Sequence, residues 1–301
     1  MTPPPTHSPR TLALGCLAAT ALALPSACGG DTSAADAPLR FTAIPGENTT
    51  ELAAKFGPVA EYLSEALGVD VEYVPSSSYP ASVEMFKNGD VQLAWFGGLS
   101  GVRARRAVPG AEALAQGAED PQYKSYFIAH RDTGLEPSES FPAGLADLSF
   151  TFGSESSTSG RMMPEHFIRE ATGSDPVAFF GGPMRFSGSH DLTLEDVGNR
   201  TVDAGVLSYK TYELRVEEGR VDPEVVRVIW QTPSYADYNW TASPRAEEWL
   251  GANAFEQLAA ALFAMDEPAL LSAVNRSALI PASNADFAEL EALALELELV
   301  R

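Results

Sequence analysis

Five hydroxyl side chains crowd into six residues of this sequence, within Gly153-Ser154-Glu155-Ser156-Ser157-Thr158-Ser159-Gly160, directly after the apolar stretch Leu148-Ser149-Phe150-Thr151-Phe152. Beyond them Phe167, Ile168 and Ala171 keep a helical spacing as far as Gly173, so the cluster stands where a helix begins. A helix N-terminus presents unpaired N–H groups and the positive end of the helix dipole, and flanking hydroxyls add donors. The combination is a cup for an oxyanion, with Ser156, Ser157, Thr158 and Ser159 as candidate donors. Capping alone takes one hydroxyl and leaves the rest redundant. Each charge-assisted hydrogen bond contributes roughly 1.5–3 kcal/mol net. Four or five of them reach the ~8 kcal/mol of micromolar binding before closure costs are charged, without a buried arginine. Glu155 sits awkwardly in such a cup and is expected to turn toward Arg161 or solvent.

A second polar segment, Phe186-Ser187-Gly188-Ser189-His190-Asp191, leads into another helical pattern, Asp191 to Asn199. His190 can donate to an anion there, with Ser187 and Ser189 assisting; the competing reading is a capping or surface histidine. His7 belongs to the leader described below, while His130 and His166 fall on a strand and a helix face and read as structural. Tyr235, Asp237, Tyr238 and Trp240 follow the strand pattern Val225 to Trp230. They read either as lining the hinge side of a cleft or as interface aromatics.

Serines, a histidine and aspartates raise the question of a hydrolytic triad. No Gly-x-Ser-x-Gly elbow is present, since Gly153-Ser154-Glu155-Ser156-Ser157 fails at its central and final positions. A nucleophile needs one exposed hydroxyl beside a base, whereas adjacent hydroxyls suit multidentate binding. The expectation is a binding protein and not an enzyme, with no cofactor and, lacking a cysteine pair or close histidine pair, no metal. The formal charge of −21 argues against a nucleic-acid partner. It leaves a small anion open, because distant carboxylates are screened within roughly 8 Å at physiological salt.

The elements that must position these residues alternate. Leu39 to Pro45 reads as a strand and Glu47-Asn48-Thr49-Thr50-Glu51 as a helix start. Leu52, Phe56, Val59, Ala60, Leu63 and Leu67 follow at helical spacing, and Val69 to Val74 reads as the next strand. A helix near Tyr79 to Asn88, a strand Val91 to Phe96 and a helix after Gly97-Gly98 repeat the pattern. A mostly parallel sheet covered on both faces follows, with ligands expected at the carboxyl ends of strands. Tyr126 to Arg131 leads away from this lobe, a second strand-helix series runs through Leu148–Gly153 and Val202–Leu207, and the tail from Ala246 is helical. The layout is two α/β lobes: residues 39–131 with 231–301, and residues 132–230 inserted between them, two crossing segments forming a hinge.

The ends read as an address. Thr11 to Leu24 is an almost unbroken apolar run followed by Pro25-Ser26-Ala27-Cys28, too short to span a bilayer and suited to an export signal. Residues 1–28 are expected to be a lipoprotein-type leader with Cys28 acylated, and residues 29–38 a flexible tether. Cys16 leaves with the leader, so the mature chain has no internal disulfide.

Ser154 to Gly160, Ser187 to His190, Ala43-Ile44-Pro45 with Asn48-Thr49-Thr50, and Gly89-Asp90-Val91-Gln92-Leu93-Ala94-Trp95-Phe96-Gly97 together resemble the phosphate/phosphite/phosphonate-binding proteins of ABC importers, and within them the group labelled selenate-binding. The resemblance spans roughly residues 39 to 297, rests on several motifs in order and implies a type II periplasmic-binding-protein-like fold. It implies an exported, lipid-anchored monomer that binds a small tetrahedral oxyanion and hands it to a membrane permease with its cytoplasmic ATPase. The alternative is a protein of the same fold that senses the ligand and reports to a membrane receptor. It implies Ser157, Thr158 and Ser159 on the oxyanion, His190 closing from the same lobe, and an aromatic from the first lobe against the ligand: Tyr79, with Trp95 and Phe96 as further candidates. Asp203 matches a region where aminophosphonate binders place an acid. Selenate and sulfate differ from the phosphorus oxyanions in lacking a proton near neutral pH. A P–OH group would need an acceptor, for which Glu155, Asp191 and Asp203 are the candidates.

Overall fold

The strand-helix alternation that opens the chain is secured by local caps and one buried stripe. Asn48 Oδ1 accepts from the N–H groups of Thr50 at 2.9 Å and Glu51 at 3.2 Å, starting the helix Thr49–Leu67. Gly68 ends it at φ 68°, where a side chain would be strained. Leu52, Phe56, Val59 and Leu63 are buried along one face, each contributing about 1.5–3 kcal/mol by leaving water.

The structure, a computed structural model, describes Met1 and residues 37–300. The expected leader, its Cys16 and Cys28, and most of the tether lie outside the described residues. The chain divides into two units, Met1–Thr32 and Ser33–Arg301, and both lobes belong to the second. In order come β1 (Leu39–Ala43), α1 (Thr49–Leu67), β2 (Val71–Tyr73), α2 (Tyr79–Asn88), β3 (Leu93–Phe96), α3 (Gly98–Ala107), β4 (Glu112–Gly117), β5 (Ser125–His130) and β6 (Phe150–Thr151). They are followed by α4 (Met163–Thr172), α5 (Pro176–Phe179), α6 (His190–Gly198), β7 (Ala204–Ser208), α7 (Tyr209–Glu217), β8 (Val226–Gln231) and β9 (Asn239–Ala242). The chain closes with α8 (Glu247–Leu250), α9 (Ala254–Ala264), α10 (Pro268–Leu271), β10 (Leu279–Pro281) and α11 (Ala288–Glu296). Among the described residues no helix is long and apolar enough to cross a membrane.

Two sheets result, with strand orders β10-β4-β9-β3-β1-β2 and β6-β7-β5-β8. They are mixed, where the sequence suggested a mostly parallel arrangement. β1 pairs parallel with β2 and β3, as the βαβ pattern requires, but β9 re-enters from the second sheet and pairs antiparallel with β3 and β4, and β10, after α8–α10, pairs antiparallel with β4. A strand that re-enters a lobe from its neighbour arrives without the crossover helix that makes a parallel pair. β5 sits between β7 and β8 in the second sheet, so the chain passes between sheets at residues 118–124 and again at 232–238. These crossings lie side by side: Tyr123 and Tyr235 exchange N–H···O bonds of 2.9 and 3.0 Å, and Asp237 N–H donates to Asp120 carbonyl at 3.2 Å.

The first lobe's core is built on Phe41, Phe56, Leu93 and Trp240. A second cluster mixes Phe127, Phe152, Met162 and Phe167 with Leu99, Val102 and Leu290, so α3 and α11 share a core with the serine loop's own lobe.

Candidate functional site

The serine-rich loop closes on itself before it meets anything else. Gly153 N–H donates to Gly160 carbonyl at 2.8 Å, Ser157 N–H to Ser154 carbonyl at 3.0 Å, and Ser157 Oγ accepts from Gly160 N–H at 2.9 Å. Ser157 thereby caps a single π-helical turn, Thr158–Met162, that runs into α4. Such turns widen the helix start and recur at functional sites. The expected helix N-terminus is present, with an extra turn whose pitch the residue types did not reveal.

From this turn the hydroxyls go different ways. Ser157 faces Tyr79, whose hydroxyl is buried and held well above its ordinary pKa by burial and by the charge of Asp237, so it remains an O–H. Thr158 Oγ1 accepts from Leu99 N–H at 3.0 Å and lies beside the Asp237 carboxylate, favouring its charged form. Ser159 carbonyl accepts from Ser125 Oγ at 2.7 Å, and Ser159 Oγ is a buried hydroxyl with no protein partner among the described residues. Ser156, expected as a ligand donor, is drawn off instead: its Oγ bonds to Arg103 and its carbonyl accepts from Ser100 Oγ at 3.2 Å. Glu155 is exposed, near Arg161 and Arg103, as its chemistry required.

His190 opens α6 as the second segment suggested, capped by Ser189. Its backbone N–H crosses to Gly46 carbonyl at 3.0 Å, its Nδ1 accepts from Ser208 N–H at 3.4 Å, and its Nε2 lies 3.4 Å from Tyr79 Oη. Accepting at Nδ1 leaves the hydrogen on Nε2, aimed at the shared space. Burial pushes the ring's pKa down to about 4, against the pull of Asp191, so the imidazole is neutral at pH 7 and acts as a donor.

Asp237 completes the cluster from the second crossing. Its Oδ1 accepts from Gly98 N–H at 2.8 Å, while Oδ2 is buried without a protein partner among the described residues. Burial pushes this carboxyl up to about 7, with the Gly98 N–H and the Thr158 hydroxyl resisting. Glycines permit the close approach. A Cβ at Gly46 would lie 3.0 Å from Tyr79 Oη and 3.2 Å from His190 Cδ2, and one at Gly97 would lie 3.3 Å from Asp237 Oδ1 and 3.4 Å from Thr158 Oγ1. Tyr238 stacks on Trp95 with ring centroids 5.5 Å apart, and the buried Arg276 guanidinium lies 4.8 Å from the Tyr238 centroid while pairing with Asp120 at 2.7 Å.

Of the residues singled out from sequence, the structure gathers Tyr79, Ser157, Thr158 and His190 into one cluster, with Ser159 on the same turn. It does not bring Phe96, Asp203 or Asp191 there, and Ser156 is held by Arg103. Phe96 is a core residue packed edge-on against Phe86 at 5.6 Å, because strand alternation turns it from the cleft. Asp203 Oδ2 accepts from Ser149 N–H at 3.1 Å and Ser149 Oγ at 2.6 Å, bracing β7. Asp191 is bound to Arg215 and to Asn48 N–H, so none of the three suggested proton acceptors faces the cluster; Asp237, read from sequence only as a cleft-lining residue, does. His130 accepts from Asp132 N–H at 3.2 Å, and His166 lies 3.5 Å from Glu170 on α4, in structural settings.

Buried hydroxyls, a neutral imidazole, two helix starts and the Asp237 carboxyl converge between the two sheets, an arrangement suited to holding a small polar ligand. Comparison with known proteins agrees. Residues 41–287 match the family model described as the ABC transporter, phosphonate, periplasmic substrate-binding protein, and the chain belongs to that family. It is 34% identical over 270 residues to the "Probable ABC transporter phosphite binding protein PhnD1" of Prochlorococcus marinus (strain MIT 9301), covering 87% of this chain and 91% of that protein. It is 29% identical over 241 residues to the phosphate-import protein PhnD of Mycolicibacterium smegmatis, covering 73% and 72% of the two chains. The crystal structure of Prochlorococcus marinus PhnD1 in complex with methylphosphonate superposes with a TM-score of 0.82 over 87% of this chain and 98% of that one. A binding component of a Pseudomonas aeruginosa ABC phosphonate transporter, 21% identical, shares the fold with a TM-score of 0.74, covering 87% of each chain. These relatives are substrate-binding transport proteins, not enzymes, and the fold is type II.

Proposed function

We propose that this cluster holds a tetrahedral phosphorus oxyanion, a phosphonate or phosphite, and that the chain delivers it to an ABC permease. Ser157, Thr158 and Ser159 would supply hydroxyls and the start of the π-turn its N–H groups; His190 Nε2–H and the Tyr79 hydroxyl would donate from either side, with Tyr238 beside them. The observation that carries the reading is Asp237 Oδ2. A buried, unpartnered carboxylate oxygen beside an anion site is unfavourable unless a proton lies between the two charges. A phosphonate or phosphite monoanion brings that proton as P–OH. Selenate and sulfate bring none near neutral pH and would need Asp237, whose carboxyl is pushed up to about 7, to hold the proton itself, which favours the phosphorus oxyanions over the selenate specialisation suggested by the sequence.

The leader and Cys28 motif support export and lipid anchoring, and the receptor is read as a monomer whose lobes close about residues 118–124 and 232–238. Isothermal titration of the protein with methylphosphonate, phosphite, phosphate, selenate and sulfate tests the ligand class. Saturable binding of a phosphorus oxyanion with sulfate and selenate weaker is the expected result. Equal or tighter binding of selenate, or none of the five, would overturn the reading.

A further inference from the structure

Away from the serine loop, the lips of the cleft are joined by charge. Arg215 on α7, its side chain 2% exposed, is held within its own lobe by Asp191, Nε to Oδ1 and Nη2 to Oδ2 both at 2.8 Å, and by Glu218 at 2.8 Å. The same guanidinium reaches across the cleft to Glu47 at 3.2 Å and Glu51 at 3.3 Å. Arg220 adds a second crossing to Glu51 at 3.0 Å, and Asn48 N–H, at the start of α1, donates across to Asp191 Oδ2 at 3.0 Å. A space of about 400 Å³ beside them is lined by Pro45, Glu47 and Ser77 from one lobe and Ser189, Glu195 and Arg220 from the other. Elsewhere the lobes are joined by the apolar cluster of Leu99, Val102, Leu290, Phe152 and Met162.

These two joints respond differently to opening. Parting the apolar side exposes core, at a cost that scales with area. Parting the charged side strands nothing: Arg215 keeps Asp191 and Glu218, and Glu47 keeps Lys55, 3.0 Å away. A buried charge left alone would be strongly unfavourable, and this arrangement avoids that in either state. We infer that Arg215 is a cross-lobe latch, a positioning residue that through Glu47 and Glu51 holds the lobes shut over the ligand and sets its rate of release. The inference rests on the closing-receptor reading above.

The test is a full chain carrying Glu47→Gln and Glu51→Gln, which removes the cross-lobe negative charges and leaves Arg215 its own-lobe partners. Methylphosphonate release is followed by stopped-flow tryptophan fluorescence, Trp95 being stacked on Tyr238. The off-rate is expected to rise about tenfold, as for loss of two or three partly screened ion pairs. Wild-type release should also quicken between about 0.1 M and about 1 M salt, where the screening length falls from about 10 to about 3 Å, and the variant's should not. A change confined to the on-rate would show that the two carboxylates act only on the approaching anion, and it would overturn the latch, as would an unchanged off-rate. A ligand-free readout separates this from failure of the ligand reading. Nitroxide labels at Ser77→Cys and Glu195→Cys, in a chain with Cys16→Ser and Cys28→Ser, report the lip-to-lip distance by electron–electron resonance. A smaller short-distance population in the Gln variant supports the latch even if wild type binds none of the oxyanions, and identical populations refute it.

Discussion

Asp237→Asn keeps the shape of the side chain and removes its charge and much of its capacity to accept a proton. A hydrogen bond from P–OH to a buried carboxylate contributes about 1.5–3 kcal/mol, so methylphosphonate and phosphite should bind the variant roughly ten- to a hundredfold more weakly. Selenate and sulfate should bind as well as before or better, because the repelling charge is gone. The same substitution has a signature in the ligand-free protein. Burial pushes the Asp237 carboxyl from its ordinary 3.8 up to about 7. The unfolded chain loses this proton near the lower value and the folded chain keeps it, so folded-state stability falls as pH rises through that window. The ceiling is about 4 kcal/mol. Asn has no such titration, and the variant should gain stability relative to wild type between about pH 4 and pH 7. Titration calorimetry across the five anions and denaturation midpoints against pH measure both. Equal losses for methylphosphonate and selenate, together with parallel pH profiles, would refute the assignment of Asp237 as the proton acceptor.

Other substitutions probe the remaining parts. Ser157→Ala removes the cap on Gly160 N–H and the group facing Tyr79, and should weaken oxyanion binding at least tenfold while costing about 1 kcal/mol of stability, as measured by calorimetry and denaturant titration. Gly97→Ala places a Cβ 3.3 Å from Asp237 Oδ1 and 3.4 Å from Thr158 Oγ1, and the forced shift should cost binding about 1–3 kcal/mol. Phe96→Leu should lower stability by about 1–2 kcal/mol, and Asp203→Asn should leave affinity within about twofold, since neither residue lies in the cluster. His190 gives a pH effect of opposite sign. Its folded pKa is pushed down to about 4 from 6.5, so its contribution is lost as pH falls through that range, and His190→Gln should flatten the acid limb of the stability profile.

Much of the fold was legible because it is written in local chemistry. Asn48 and Gly68 bracket α1, and the buried stripe from Leu52 to Leu63 has the helical period. The serine cluster was legible as a helix start and His190 as the opening of the next helix, but the separate partners of Ser156, Ser157 and Thr158 were not. What escaped was set by pairing across long sequence distances. The antiparallel return of β9 against β3 depends on where the chain crosses between sheets, and no residue type announces that. Asp237, Asp203 and Asp191 are alike in sequence, each near a strand or helix end. Only the fold gives Asp203 to Ser149, Asp191 to Arg215, and leaves one oxygen of Asp237 without a protein partner. Ser156 looked equivalent to its neighbours until Arg103, more than fifty residues earlier in sequence, claimed it. A cue for Asp237 did exist: a lone acid among Tyr235, Tyr238 and Trp240 is an improbable core residue unless it has a proton to hold.

A crystal structure of the protein grown with methylphosphonate would show whether the π-turn hydroxyls, Tyr79, His190 and Asp237 hold a phosphorus oxyanion. The phosphonate oxygens are expected within hydrogen-bond distance of the Ser157, Thr158 and Ser159 side chains and His190 Nε2, with one oxygen against Asp237 Oδ2. Phosphonate density elsewhere, or Asp237 turned away from a bound anion, would contradict this expectation.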